Sequence, residues 1–226
     1  MKNDKKESKA KLFSVKNLVF DFVRITAAPG MLWFRPKHIY ENEAAKKRIK
    51  GPAIIIANHV GMIDPMYLML AIWYRRHRFV CKSDLMESKA GGFWLRMFRC
   101  IPIDRENASF ATMRQIVDVL KEGNLVSMFP EGQVNTGSEM PAQFKSGMVL
   151  MSVQSGAPII PVYIKPRKHG YDRIVAVIGE PFSVTEKYGP HPKFSQIDEA
   201  ARYLHEKELK LRELANKSAE RNDKNG

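Results

Sequence analysis

The segment Ile54-Ile55-Ile56-Ala57-Asn58-His59-Val60-Gly61-Met62-Ile63-Asp64-Pro65 constrains this chain more than any other. An aliphatic run of strand length delivers an Asn-His pair to a turn, and an aspartate follows the histidine by five positions. On a continuous helix, residues five apart sit about 140° apart, at roughly 100° per residue, and do not meet. The pair works together only in a strand-turn-helix unit, with His59 in the turn and Asp64 at the helix entrance. Gly61 loosens the turn, and Asp64-Pro65 reads as an N-cap followed by proline at the first helical position. The strand then holds the imidazole, the carboxylate binds its far nitrogen, and His59 can take a proton from an alcohol.

Further strands and helices alternate along the chain. Periodicity predicts strands over residues 53–57, 79–82, 101–103, 125–129, 159–164 and 174–178. Between them it predicts helices over 65–74, 91–98, 108–122 and 144–156, and a charged terminal helix over 196–216. Gly123-Asn124 stops the 108–122 helix, and a loop runs from the strand at 125–129 through Pro141. Such alternation implies an α/β fold with a central, mostly parallel sheet flanked by helices. The domain plan is a basic, amphipathic segment over 1–37, a catalytic domain over 38–217 and a flexible tail over 218–226.

Three later segments join the first. Arg99-Cys100-Ile101-Pro102-Ile103-Asp104-Arg105 ends an apolar stretch on an Asp-Arg pair. Phe129-Pro130-Glu131-Gly132 follows the apolar run from Leu125 to Met128, and Ala157-Pro158-Ile159-Ile160-Pro161-Val162 closes the series. In this order and spacing the four blocks resemble those of the glycerolipid acyltransferase family with the His-x4-Asp motif, which includes the 1-acylglycerol-3-phosphate acyltransferases. The resemblance spans roughly residues 40–185.

That resemblance implies transfer of an acyl group from a thioester to a glycerol hydroxyl, with His59 as general base and Asp64 fixing its tautomer. It implies a lysophospholipid acceptor and an acyl-CoA or acyl carrier protein donor as co-substrate, with no cofactor. Arg105 matches the motif arginine and is the first candidate for the acceptor phosphate, because a phosphate monoester suits a planar, permanent cation. A surface ion pair with Asp104 is the other reading of Arg105. Asn58, Glu131, Gly132, Lys82 and Lys145 complete the candidate substrate-binding set. Glu131 could bind glycerol hydroxyls or serve the turn, Gly132 would allow close backbone approach, and Lys82 and Lys145 could equally be solvated charges. The third block departs from the family: Gln133-Val134 stands where Thr-Arg is usual, which opens the acceptor to another lysophospholipid or to glycerol 3-phosphate.

No Gly-x-Ser-x-Gly elbow is present for an acyl-enzyme path, and a thiol of pKa about 8.5 leaves without much acid assistance. Direct donor-to-acceptor transfer follows. There is no His-Glu-x-x-His and no histidine–cysteine spacing for a metal, and no Walker or dinucleotide loop. A non-catalytic acyl-chain or membrane-binding relative is the competing reading, against which the intact His59, Asp64 and Arg105 stand.

The net charge of +13 over 226 residues attracts polyanions: an anionic membrane, a phosphate-bearing substrate or nucleic acid. The basic runs are dispersed and carry no nucleic-acid motif, which argues against the last. Two cysteines, Cys81 and Cys100, sit in apolar segments and are expected as buried, reduced thiols. No signal peptide and no apolar run of transmembrane length are read from the sequence. The stretch from Leu12 to Thr26 is helical in pattern, with Ser14, Asn17, Asp21 and Arg24 within roughly 80° of arc and apolar residues over most of the remainder. Its basic prelude and the following Trp33-Phe34-Arg35 suit a helix lying in a bilayer interface, and packing on the protein's own core is the alternative. The expected location is the cytoplasmic face of a membrane, peripheral or monotopic.

Overall fold

The computed structural model describes residues 36–104, 110–132, 144–167 and 173–223, together with Leu18, Asp21, Phe22, Ile25, Thr26 and Pro29 of the N-terminal segment. The first half of the domain contains β1 (Lys37–Tyr40), α1 (Glu43–Lys46), β2 (Ala53–Ala57), α2 (Asp64–Ala71), β3 (His77–Lys82), a 3-10 turn (Ser83–Met86) and α3 (Lys89–Met97). The second half contains β4 (Ile101–Ile103), α4 (Phe110–Lys121), β5 (Leu125–Met128), α5 (Gly147–Ser155), β6 (Ile159–Ile164), β7 (Val175–Ile178), α6 (Val184–Tyr188) and α7 (Phe194–Asp223).

The seven strands form one sheet in the order β1-β7-β6-β2-β5-β3-β4. β6, β2, β5, β3 and β4 run parallel; β7 is antiparallel to β6, and β1 is parallel to β7. The fold is therefore α/β with a mostly parallel sheet flanked by helices, as the alternation predicts. Every residue of β2, β5, β6 and β7 is buried, the pattern of strands covered on both faces.

On one face, Ile54 and Ile56 pack with Val126, Met128 and Ile159 against Ile116 and Leu120 of α4, Met148 and Val149 of α5 and Leu204 of α7. On the other, Ile55 and Ala57 pack with Leu125, Ile160 and Val162 against Tyr67, Leu68 and Ala71 of α2. Each fully buried isoleucine contributes about 1.5–3 kcal/mol by leaving water. With both faces covered, reactive groups can be displayed only at an edge. α2 leaves the end of β2 over one face and α5 follows β5 over the other, so the carboxyl ends of neighbouring β2 and β5 form a switch-point crevice.

Several elements differ from expectation. β1, α1, α6 and the 3-10 turn are short, four or five residues each, and carry too little periodicity to be seen in sequence. α2 ends at Ala71, because Tyr74 and Arg75 are drawn to the chain before β2: the Ile49 N–H donates to Tyr74 Oη, and Arg75 donates to the Ile49 and Gly123 carbonyls. Cys81 and Cys100 form no disulfide and are half-buried rather than buried, since β3 and β4 lie at the sheet margin. Hydrogen bonding with Cys81, and burial, hold the Cys100 thiol above its ordinary range. Among the described residues, no helix is long and apolar enough to cross a membrane.

α7 lies close on the sheet because residue 179 has no side chain. A Cβ there would stand 2.8 Å from Pro161 Cγ and 3.1 Å from both Leu211 Cδ1 and the Pro161 carbonyl oxygen. Gly179→Ala is expected to destabilise the fold by about 1–3 kcal/mol through overpacking. A lowered midpoint in thermal or urea denaturation checks this; an unchanged midpoint refutes it.

Candidate active site

β2 ends at Ala57, and the chain turns through His59 and Gly61 into α2. His59 Nδ1 lies 2.8 Å from Asp64 Oδ2. The same oxygen accepts the Val60 and Gly61 N–H groups at 2.7 and 2.8 Å, and the Asp64 N–H donates to the Gly61 carbonyl at 3.2 Å. An oxygen that already accepts two N–H groups acts as acceptor toward the ring as well, so Nδ1 carries the imidazole proton and Nε2 the lone pair. The aspartate side chain is 1% exposed and the histidine 13%.

Asp64 is not the N-cap that its sequence context suggests. Ile63 occupies that position without a side-chain cap, and Asp64 is already helical. Its carboxylate turns back onto the preceding turn, where three donors outcompete the helix's own N–H groups. The His59 ring stacks on Phe129, with centroids 4.2 Å apart and planes 18° apart.

Asn58 also differs from expectation. Rather than facing substrate, its amide spans from the end of β2 to the end of β6. Nδ2 donates to the Ile164 carbonyl at 2.8 Å, and Oδ1 accepts the Ile164 N–H at 2.7 Å. The residue is 3% exposed. Asn58 thus closes the sheet beside the histidine.

From β5 comes the turn Phe129 to Gly132, closed by the Gly132 N–H on the Phe129 carbonyl. Gly132 has φ of +76°, and a Cβ built there would meet nothing within 4 Å. Backbone conformation rather than lack of room therefore calls for glycine. Burial pushes the Glu131 carboxyl up to about 6, and the Asp64 charge adds to this; the nearby His59 backbone N–H pulls the other way.

Behind Glu131 stands Glu208 of α7, a residue that motif reasoning did not single out. It is 1% exposed, and neither carboxyl oxygen has a hydrogen-bond partner. Burial, then the Glu131 charge, raise its carboxyl well above the ordinary range, against the Asn58 backbone N–H. The signal was legible: buried Ile197, Ala201, Leu204, Leu211 and Ala215 recur at alternating spacings of four and three, with Glu208 on that seam.

The other candidates are spread more widely. Lys82 ends β3 and forms an ion pair with Asp84, both side chains largely open to solvent. Lys145 lines a surface cavity with Ser146, Asp198 and Arg202, sharing no residue with the His59 group. Arg105 and Gln133-Val134 lie outside the described residues. The structure thus brings together His59, Asp64, Glu131 and Gly132, the last two from the strand beside that of the histidine.

A histidine in the turn after β2, oriented by a buried carboxylate above a switch point in an α/β sheet, has the geometry a general base requires. The sequence matches the family model described as Acyltransferase over residues 37–165, more than half of the chain, and the chain belongs to that family. It is 28% identical over 133 residues to the 1-acyl-sn-glycerol-3-phosphate acyltransferase of Bacillus subtilis, covering 57% of this chain and 65% of that one. The Streptococcus pneumoniae protein of the same name is 32% identical over 110 residues, 48% of this chain and 40% of that one. The chain thus spans less than two thirds of the length of either relative. In fold it is similar to the 1-acyl-sn-glycerophosphate acyltransferase of Thermotoga maritima, with a TM-score of 0.62 at 18% identity over 88% of this chain and 80% of that one.

Asn58→Ala leaves the Ile164 N–H and carbonyl buried without partners. A loss of about 1–3 kcal/mol is expected, together with reduced activity because His59 is adjacent. Denaturation melts of the purified variant check the first; a stability within error of wild type would show that the amide clamp is idle.

Proposed function

We propose that this protein transfers a fatty acyl group from a thioester donor, acyl-CoA or acyl carrier protein, to the free hydroxyl of 1-acylglycerol 3-phosphate, giving phosphatidic acid. The observation that carries this reading is the 2.8 Å contact between His59 and Asp64 at the end of β2. The names of the Bacillus and Streptococcus relatives support the acceptor.

In the reaction, Nε2 of His59 takes the hydroxyl proton as the alcohol oxygen attacks the thioester carbonyl. A tetrahedral intermediate forms, the C–S bond breaks, and the thiolate leaves. The proton returns from the imidazolium to the thiolate, so one ester and one thiol replace one thioester and one alcohol. Asp64 holds the tautomer and steadies the transient imidazolium. Glu131, beside the histidine's backbone, faces the acceptor's glycerol hydroxyls. Arg105 is assigned the acceptor phosphate by its place in the second block. Because Gln133-Val134 removes the usual second arginine, acylation of another lysophospholipid or of glycerol 3-phosphate is the alternative.

The acceptor is lipid, and the N-terminal helix offers a route to it. Leu18, Phe22 and Ile25 share a helical face and are 54%, 67% and 65% exposed. Asp21, three residues after Leu18 and four before Ile25, lies at the margin of that face and pairs with Arg76 at 2.5 Å. The exposure of all three apolar side chains on one face favours an interfacial helix over packing on the core.

With lysophosphatidate and acyl-CoA, the purified protein is expected to release free thiol. His59→Ala should abolish this while remaining folded, and Asp64→Asn should lower kcat by about 10²–10⁴-fold. Full activity in His59→Ala would remove the base assignment, and a panel of lysolipids and glycerol 3-phosphate decides the acceptor. Anionic liposomes should float the full chain but not one lacking residues 1–35; equal flotation would defeat the anchoring role.

A further inference from the structure

α3 is held to the domain through its backbone rather than through its apolar side chains. Among its described residues only Gly92 is buried, and a Cβ there would stand 2.1 Å from the Met86 carbonyl oxygen of the 3-10 turn. Ser88 caps the helix by accepting the Gly91 N–H, and the Arg96 guanidinium donates to the same Met86 carbonyl. At roughly 100° per residue, Phe93, Met97 and Trp94 fall within about 100° of arc on the side away from Gly92. Phe93 is 53% exposed and Trp94 48%, with their rings edge to face at 5.6 Å, and Leu85 of the adjoining turn is 48% exposed. An amphipathic helix in water turns its apolar stripe to the core, whereas this one turns it to solvent.

What covers the stripe follows from area, charge and place. At half exposure two aromatic rings and a leucine offer on the order of 300 Å². That is well short of the roughly 800 Å² per partner that a stable protein interface takes. From Lys82 to Arg99 four cations stand against two carboxylates, and Asp84 is paired with Lys82, so exposed Lys89, Arg96 and Arg99 leave the helix positive. Aromatic rings flanked by cations suit the headgroup level of an anionic bilayer. β3 lies parallel to β5 and β2, so Leu85 after β3 and Met62 after β2, 79% exposed, share the carboxyl edge that carries His59. Arg76, the residue before β3, holds Asp21 of the N-terminal helix, whose exposed apolar face thus belongs to the same flank.

We propose that α3 and the 3-10 turn form a second contact with an anionic bilayer. Phe93, Trp94 and Leu85 enter the interface, the flanking cations meet lipid phosphates, and the sheet edge bearing His59 is brought to the lipid surface. The contact does not depend on which acceptor is acylated.

The full chain carrying Trp33→Phe and Trp73→Phe keeps Trp94 as its single tryptophan. Phosphatidylglycerol vesicles with brominated acyl chains should quench its emission and shift it to the blue, and neutral phosphatidylcholine vesicles should do so about tenfold less at equal lipid. In the otherwise wild-type chain, Phe93→Ser with Trp94→Ser should lower partitioning onto phosphatidylglycerol vesicles about tenfold while leaving the melting midpoint in place. Trp94 left unquenched, equal quenching by neutral vesicles, or wild-type partitioning of the serine pair overturns the proposal. So does a lipid-free Trp94 already shielded from acrylamide, which would put another segment of this chain over the helix. A lipid-free dimer that the serine pair dissociates would make the face a self-interface and overturn it equally. Should the serine pair fail to fold, the Trp94 quenching decides alone. Flotation of the chain lacking residues 1–35 reads the N-terminal helix and Trp94 quenching reads α3, so failure of one contact is told apart from failure of the other.

Discussion

The site depends on one oxygen atom. Asp64 Oδ2 accepts the imidazole Nδ1–H and the two backbone N–H groups of Val60 and Gly61, so a single carboxylate both shapes the turn and orients the ring it serves. Had the aspartate capped its own helix, it would have faced the N–H groups ahead of it and left the histidine to rotate. Instead the helix starts without a side-chain cap, and the electrostatic support is directed backward onto the histidine. Burial at 1% exposure keeps water from competing for that oxygen.

Around this oxygen the sheet sets what else can take part. Its central strands are covered on both faces, and their ends are the places where polar side chains can gather. The two carboxyl ends at the switch point bring the histidine from β2 and Glu131 from β5, and Asn58 ties β2 to β6 through two hydrogen bonds. The imidazole gains a flat neighbour in Phe129 and so is confined on its face as well as at its nitrogen. Rigidity here follows from the aliphatic packing of β2, which the aliphatic run encodes directly.

Much of this was legible in the residues. The aliphatic run, the spacing of His59 and Asp64 and the glycine between them were enough to require a strand, a turn and a helix. The alternation of the remaining segments led to the parallel sheet. What escaped did so for physical reasons. β1 and α6 gain their stability from neighbours rather than from local pattern, and their few residues carry no period. The clamp made by Asn58 depends on β6, a partner 106 positions away in sequence. Asp64 was assigned to the cap because local rules count only donors ahead of it, whereas the turn supplied better ones behind. Glu208 was visible as a break in the apolar seam of the last helix, but its meaning required knowing which strand ends that seam crosses.

The reversal of β7 and β1 has a further consequence. Only the five strands from β6 to β4 open toward the histidine's edge; beyond β6 the chain folds back, and Arg167 of the returning connection lies over the Tyr67 ring of α2 at 5.9 Å. That flank of the edge is thus covered by the returning chain. On the other flank, beside β3 and β4, Leu85, Phe93 and Trp94 stand half-uncovered. The sheet has a closed bank and an open one, set by strand polarity before any side chain in the crevice is chosen.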